Sequence, residues 1–125
     1  MKLALVIESD PESVKLLKAV LERWDIAITS AASTVEAEEI IRAVRPDVIV
    51  CDIAVRGSDA LGFIRRLRNS ADTKLSKIPA IATTVSYEDV DARTARAAGF
   101  DVFIRKPLDP DQLPHIVTLL MAANR

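Results

Sequence analysis

Val48-Ile49-Val50-Cys51-Asp52 is a run of four apolar residues that ends in one carboxylate. Pro46-Asp47 precedes it and Gly57 follows it. A run this short, closed off on both sides by turn residues, predicts a buried strand. An acid at the carboxyl end of such a strand lies on the rim of a sheet. In open α/β sheets that rim is where ligands bind and chemistry occurs.

Working outward, four more short runs lie on either side. Leu3 to Ile7 is bounded by Glu8-Ser9-Asp10-Pro11, and Ile26 to Ser30 is a short strand. Ile78 to Thr84 is apolar until its end, and Asp101 to Ile104 gives a fifth strand. Helical spacing fills the intervals. Val14, Leu17, Leu21 and Trp24 mark one buried stripe, and Ala37, Ile40, Ile41 and Val44 a second. Leu61, Ile64 and Leu67 mark a third helix running to about Asn69. Ser70 to Lys77 is polar and predicts a loop. Tyr87 to Ala98 predicts a helix closed by Gly99, and Asp109-Pro110 opens the last helix, with Leu113, Ile116, Val117 and Leu120 inward. Asp10 before Pro11 reads as a helix cap, with Ser9 and Glu12 as an alternative capping box; Ser33 or Thr34 caps the second helix.

Strand and helix alternate five times. The fold class expected is therefore α/β: a five-stranded parallel sheet, doubly wound (βα)5, a flavodoxin-like three-layer sandwich with strand order 2-1-3-4-5. The chain has 125 residues, half of them hydrophobic, and a net charge of −1. That fits one domain, residues 1–125, with an aliphatic core and no nucleic-acid arm. The lone Cys51 excludes an internal disulfide and reads as a small core residue. The opening apolar run is too short for a signal peptide or a membrane span, so a cytoplasmic protein is expected.

On a parallel sheet, Glu8, Ser9 and Asp10 after strand one, Asp52 after strand three, Thr83 and Thr84 after strand four and Lys106 after strand five all meet at one edge. Each alone has a bland reading: acids and threonines cap helices, and a surface lysine is commonplace. Together they carry a resemblance that covers nearly the whole chain. Glu8 and its neighbours, Pro46 to Asp52, Gly57-Ser58-Asp59, Pro79 to Thr84 and Ala98 to Pro107 resemble, in that order, the motifs of the receiver domain of two-component response regulators.

The resemblance implies a phosphoprotein. Asp52 would be the phosphoacceptor, Thr84 the switch hydroxyl, Lys106 the phosphoryl contact and Phe103 the switch aromatic. A magnesium ion would be held by Glu8, Asp52 and the backbone carbonyl of Ala54, with Asp10 as a further candidate ligand. The Lys106-Pro107 bond would be cis. The implied partners are a sensor histidine kinase or a histidine phosphotransfer protein, and a downstream protein on the face made by the fourth helix, the fifth strand and the last helix. No DNA or membrane binding is implied, and the oligomeric expectation is a monomer or weak homodimer. The chain would be no enzyme beyond catalysing its own phosphorylation and dephosphorylation. Because it stops at Arg125, just past the last helix, a single domain without an output domain is expected.

Four departures qualify this. Ser9 stands where the family has an acidic metal ligand, so weak magnesium affinity is expected. Arg56 and Ala60 replace the usual proline and glycine of the loop after Asp52, and β-branched Val85 follows Thr84. The competing reading is a pseudo-receiver: the same fold and docking surface, without efficient magnesium-dependent phosphorylation. A nucleotide-binding enzyme is disfavoured, because no glycine-rich loop follows strand one. His115 lies too far along the last helix to serve as a base at the rim.

Overall fold

The computed structural model describes residues 1–54, 59–85 and 91–123. Five parallel strands form one sheet in the order β2-β1-β3-β4-β5. They are β1 (Lys2–Ile7), β2 (Ile26–Ala31), β3 (Val48–Asp52), β4 (Ala80–Thr84) and β5 (Val102–Arg105). The helices are α1 (Pro11–Glu22), α2 (Thr34–Val44), α3 (Ala60–Arg68), α4 (Thr73–Ser76), α5 (Ala92–Ala98) and α6 (Gln112–Ala123). The expected doubly wound fold is what the chain forms.

Alternation along each strand splits the core into two layers. Leu5, Ile7, Ile49, Cys51, Ala80 and Ala82 pack toward Phe63, Ile64 and Leu67 of α3 and Ala95 and Ala98 of α5. Ala4, Val6, Val48, Val50 and Ile81 pack toward Leu17 and Leu21 of α1 and Leu113 and Val117 of α6. Every residue from Ala4 to Ile7 and from Val48 to Cys51 is essentially inaccessible, which is why these segments read as unbroken apolar runs.

Local side chains fix where helices begin. Asp10 accepts from the Glu12 N–H, so it and not Ser9 caps α1, with Pro11 at the first helical position. Ser33 accepts from the Glu36 N–H, while Glu36 accepts from the Ala32 N–H in return. Asp59 caps α3 through the Gly62 N–H, and Asp91 caps α5 through the Thr94 N–H. Asp109 accepts from the N–H groups of Asp111 and Gln112 and opens the turn into α6.

The structure corrects several sequence expectations. Ser70 to Lys77 is not all loop: Asp72 accepts from the Lys74 N–H and caps a single helical turn, α4. β4 starts at Ala80, not Ile78. Trp24 lies beyond the end of α1 and is 43% exposed; its ring meets His115 of α6 edge to face at 4.6 Å. Val44 is likewise largely exposed at the end of α2. The expected start of the fourth crossover helix at Tyr87, and the readings of Arg56, Gly57 and Ser58, fall outside the described residues.

One side chain ties several elements together. Arg68, at the end of α3, donates to the carbonyls of Gly99, Ser76 and Ile78 and to Asp101. Asp101 also accepts from the Ala80 N–H at 2.8 Å, so this network sets the spacing between β4 and β5 at their amino ends.

Candidate functional site

Register brings the candidate residues together. Ile7 pairs with Cys51, so Glu8 emerges beside Asp52. Asp52 in turn pairs with Thr83, and Thr84 with Arg105, so Lys106 is the first residue beyond β5. The Lys106 N–H donates to the Thr84 carbonyl at 2.8 Å, which carries the sheet pattern one residue past the strand.

At this rim the Lys106 ammonium lies between two acids. Its Nζ donates to Asp52 Oδ2 at 3.0 Å and to Glu8 Oε1 in a short contact. The three side chains are 15%, 13% and 3% exposed for Lys106, Asp52 and Glu8 respectively, so water screens these pairs weakly. Burial opposes the charge on Lys106, but the hydrogen bonds to Glu8 and Asp52 outweigh it and raise its pKa above the ordinary value. Asp52 Oδ1 accepts from the Ala54 N–H at 2.9 Å, and Glu8 Oε2 from the Asp10 N–H at 3.2 Å. Each carboxylate is therefore held from both oxygens, by the lysine on one side and by backbone on the other.

Thr83 and Thr84 are both buried, at 2% and 1%. Thr83 Oγ1 lies 3.5 Å from the Cys51 carbonyl. Val85 is exposed, so the residue after Thr84 faces solvent. The Lys106-Pro107 peptide is cis. Phe103 is half-buried against the α3/α5 side of the core, and the Arg105 guanidinium stands over its ring, 5.2 Å from the centroid. Sequence reading did not anticipate Arg105 in that position, although residues two apart on a strand share a face.

The donor set suits a hard cation with few protein ligands. Glu8 and Asp52 offer carboxylates and Ala54 a backbone carbonyl, and magnesium sites commonly use one or two carboxylates with water completing the shell. Among the described residues no three acidic, histidine or cysteine side chains converge. Asp10 is turned to α1: Oδ1 accepts from the Glu12 N–H and Oδ2 from the Ser13 hydroxyl, and the Ser13 bond chiefly lowers its pKa. Ser9 is exposed. A cation here has two acids to bind, Glu8 and Asp52, beside the Lys106 ammonium.

Cys51, next to Asp52, is fully buried. Burial, and then the neighbouring charges of Asp52 and Glu8, push its thiol pKa well above the ordinary value. It is a core residue here. His115 is exposed on α6, on the edge of the Trp24 ring.

Known proteins resemble this chain in sequence and fold. The family model described as the response regulator receiver domain matches residues 4–118. An uncharacterized 14.6 kDa protein in the sodA1 3′ region of Leptolyngbya boryana is 32% identical over 113 residues, covering 90% of this chain and 85% of that one. The response regulator Rre1 of Synechocystis is 29% identical and covers 97% of this chain, which spans only 52% of it. Among solved structures, the signal receiver domain of a signal transduction histidine kinase from Syntrophus aciditrophicus superposes with a TM-score of 0.88 at 27% identity, covering 98% of this chain and 92% of that one. No helix among the described residues is long and apolar enough to cross a membrane.

Proposed function

This chain belongs to the response regulator receiver domain family, a signalling family of two-component systems, and from that premise we propose that it is a phosphorylatable switch with Asp52 as the acceptor. The observation that carries the reading is the single ammonium of Lys106 held between Asp52 and Glu8 at the carboxyl rim, beside the buried Thr84.

In this reading a phosphohistidine on a histidine kinase or phosphotransfer protein donates the phosphoryl group. An Asp52 carboxylate oxygen attacks phosphorus, the new P–O bond forms as the P–N bond breaks, and the imidazole keeps that electron pair and takes up a proton. Lys106 then exchanges an aspartate oxygen for a phosphoryl oxygen, and the Thr84 hydroxyl bonds another. Each charge-assisted bond is worth roughly 1.5–3 kcal/mol. These bonds exist only in the phosphorylated state, so they bias an equilibrium between two arrangements of β4, β5 and the flanking helices. Phe103, under Arg105, is the reporter on that face, where a downstream protein binds. Magnesium bound by Glu8, Asp52 and the Ala54 carbonyl would offset the repulsion between carboxylate and phosphoryl oxygens. The reading assigns the chain a cytoplasmic place and the role of a switch or relay.

A second reading is favoured by one observation: Asp10, which follows Ser9, is engaged in capping α1. With two acids in place of three, the protein would serve as a pseudo-receiver, binding its partner without phosphorylation. One experiment separates the two. The protein is incubated with magnesium and acetyl phosphate, or with beryllofluoride, and mass and amide spectra are followed. A gain of one phosphoryl group that Asp52→Asn abolishes is expected. No response in the wild type together with a response in Ser9→Asp would sink the switch reading and leave the pseudo-receiver.

A further inference from the structure

The opposite rim of the sheet carries a second concavity. Its walls come from the amino ends of β1, β3 and β4, the end of α2, the α4 turn and the end of α6. It encloses about 460 Å³, within the range of small-molecule pockets. The length of β3, about 17 Å, separates it from Asp52.

Its charge is unlike that of the chain as a whole. Lys2, Arg45, Lys74 and Lys77 line it. The acids near them are Asp47, 4.0 Å from Lys2, and Asp72, 2.7 Å from Arg45. Four cations against two acids leave a local excess of positive charge on a chain whose net charge is −1. Lys74 and Lys77 are exposed, and among the described residues neither makes an ion pair. The carbonyls of Ser76 and Ile78 are bound by Arg68. The same bonds hold the α4 turn in place, so the two lysines project from a fixed wall. Asp47 accepts from the Leu3 N–H at 2.8 Å, which occupies it in joining β1 to β3. The floor is apolar: Pro46, Ile78 and Pro79 are buried, and Met121 closes one side.

We infer that this cleft binds a small phosphate-bearing anion of about nucleotide size, with Lys74, Lys77 and Lys2 around the phosphates and Pro79 and Met121 against the apolar part. Lysine ammoniums are compact charges suited to phosphate, and the cleft offers both a polar wall and an apolar floor. This inference is independent of the chemistry proposed at Asp52.

The test uses the full chain, ¹⁵N-labelled, in EDTA so that no metal complex forms. It is titrated separately with pyrophosphate, with ATP and with a short polyglutamate peptide. Saturable shifts confined to residues near 2, 45, 73–78 and 121 are expected with pyrophosphate and more strongly with ATP. The affinity should fall roughly tenfold or more in Lys74→Gln/Lys77→Gln, each lost contact being charge-assisted. Both lysines are exposed, so the variant should keep the wild-type melting temperature and the wild-type response to acetyl phosphate. Shifts gathered instead around Glu8, Asp52 and Lys106, or an unchanged affinity in the double variant, overturn the inference. So does a response to polyglutamate alone, which would make the cleft a docking surface for an acidic protein segment.

Discussion

Lys106 Nζ stands 3.0 Å from Asp52 Oδ2 while also bonding Glu8, so one ammonium is shared by two largely buried acids. Removing it would leave two facing carboxylates in a weakly screened place. Lys106→Met should lower the unfolding free energy at neutral pH by roughly 1–3 kcal/mol. Adding Asp52→Asn should recover part of that loss, and urea denaturation of the three proteins gives the coupling.

The same pair predicts a pH dependence. The Lys106 pKa is raised in the folded state, because the bonds to Glu8 and Asp52 outweigh burial. Its contribution to stability is therefore complete below the ordinary lysine value of 10.5 and is lost as pH rises through the higher folded value. The stability gap between wild type and Lys106→Met should be constant from pH 7 to about 10 and should close above it. A gap that widens in alkali would refute this assignment.

On the proposed reading, Ser9 limits the metal affinity. Ser9→Asp adds a third acid beside Glu8 and Asp52, and magnesium should bind roughly tenfold tighter. Amide shifts of Glu8, Asp52 and Ala54 on magnesium titration measure this directly. Asp10→Asn should leave the affinity nearly unchanged, since its carboxylate serves α1.

Arg68 donates to three backbone carbonyls and one carboxylate. Arg68→Met should destabilise the protein by about 2–4 kcal/mol, because the carbonyls lose their donors in a half-buried setting. Arg68→Lys should restore only a fraction, since an ammonium cannot reproduce the planar fork. Chemical denaturation of both variants is the check.

Gly99 ends α5 with φ at 133°, and a Cβ there would lie 2.8 Å from Arg68 Cγ and 3.3 Å from Ile64 Cγ1. Gly99→Ala should therefore cost more than the backbone strain of about 1–3 kcal/mol alone. Combining it with Arg68→Ala should be less than additive, because that truncation removes Cγ and with it one side of the clash.

The parts of the fold that could be read from sequence are those fixed by neighbours in the chain. Apolar runs such as Leu3 to Ile7 and Val48 to Cys51 are continuous because both sheet faces are covered, and Asp10-Pro11 marks a helix start by local bonding alone. The rim residues Glu8, Asp52, Thr84 and Lys106 were legible because each ends or directly follows a strand. What was not legible depends on distant partners. The α4 turn has no apolar period; it persists through the Asp72 cap and through Arg68, which reaches it from α3. Trp24 fits the helical spacing of Leu17 and Leu21, but α1 stops at Glu22, and the indole lies on His115 from the far end of the chain. The stacking of Arg105 on Phe103 likewise depends on rotamers that spacing does not specify.

Cys51 gives the protein a clock. Its sulfur is sealed beneath the sheet, and its thiol resists ionisation, first through burial and then through Asp52 and Glu8. An alkylating reagent can reach it only when β3 or the α3/α5 layer packed on it opens. The labelling rate of this single thiol therefore counts openings of the core around the central strand. Because the same strand carries Asp52, any ligand that steadies the carboxyl rim should slow that clock without touching the sulfur.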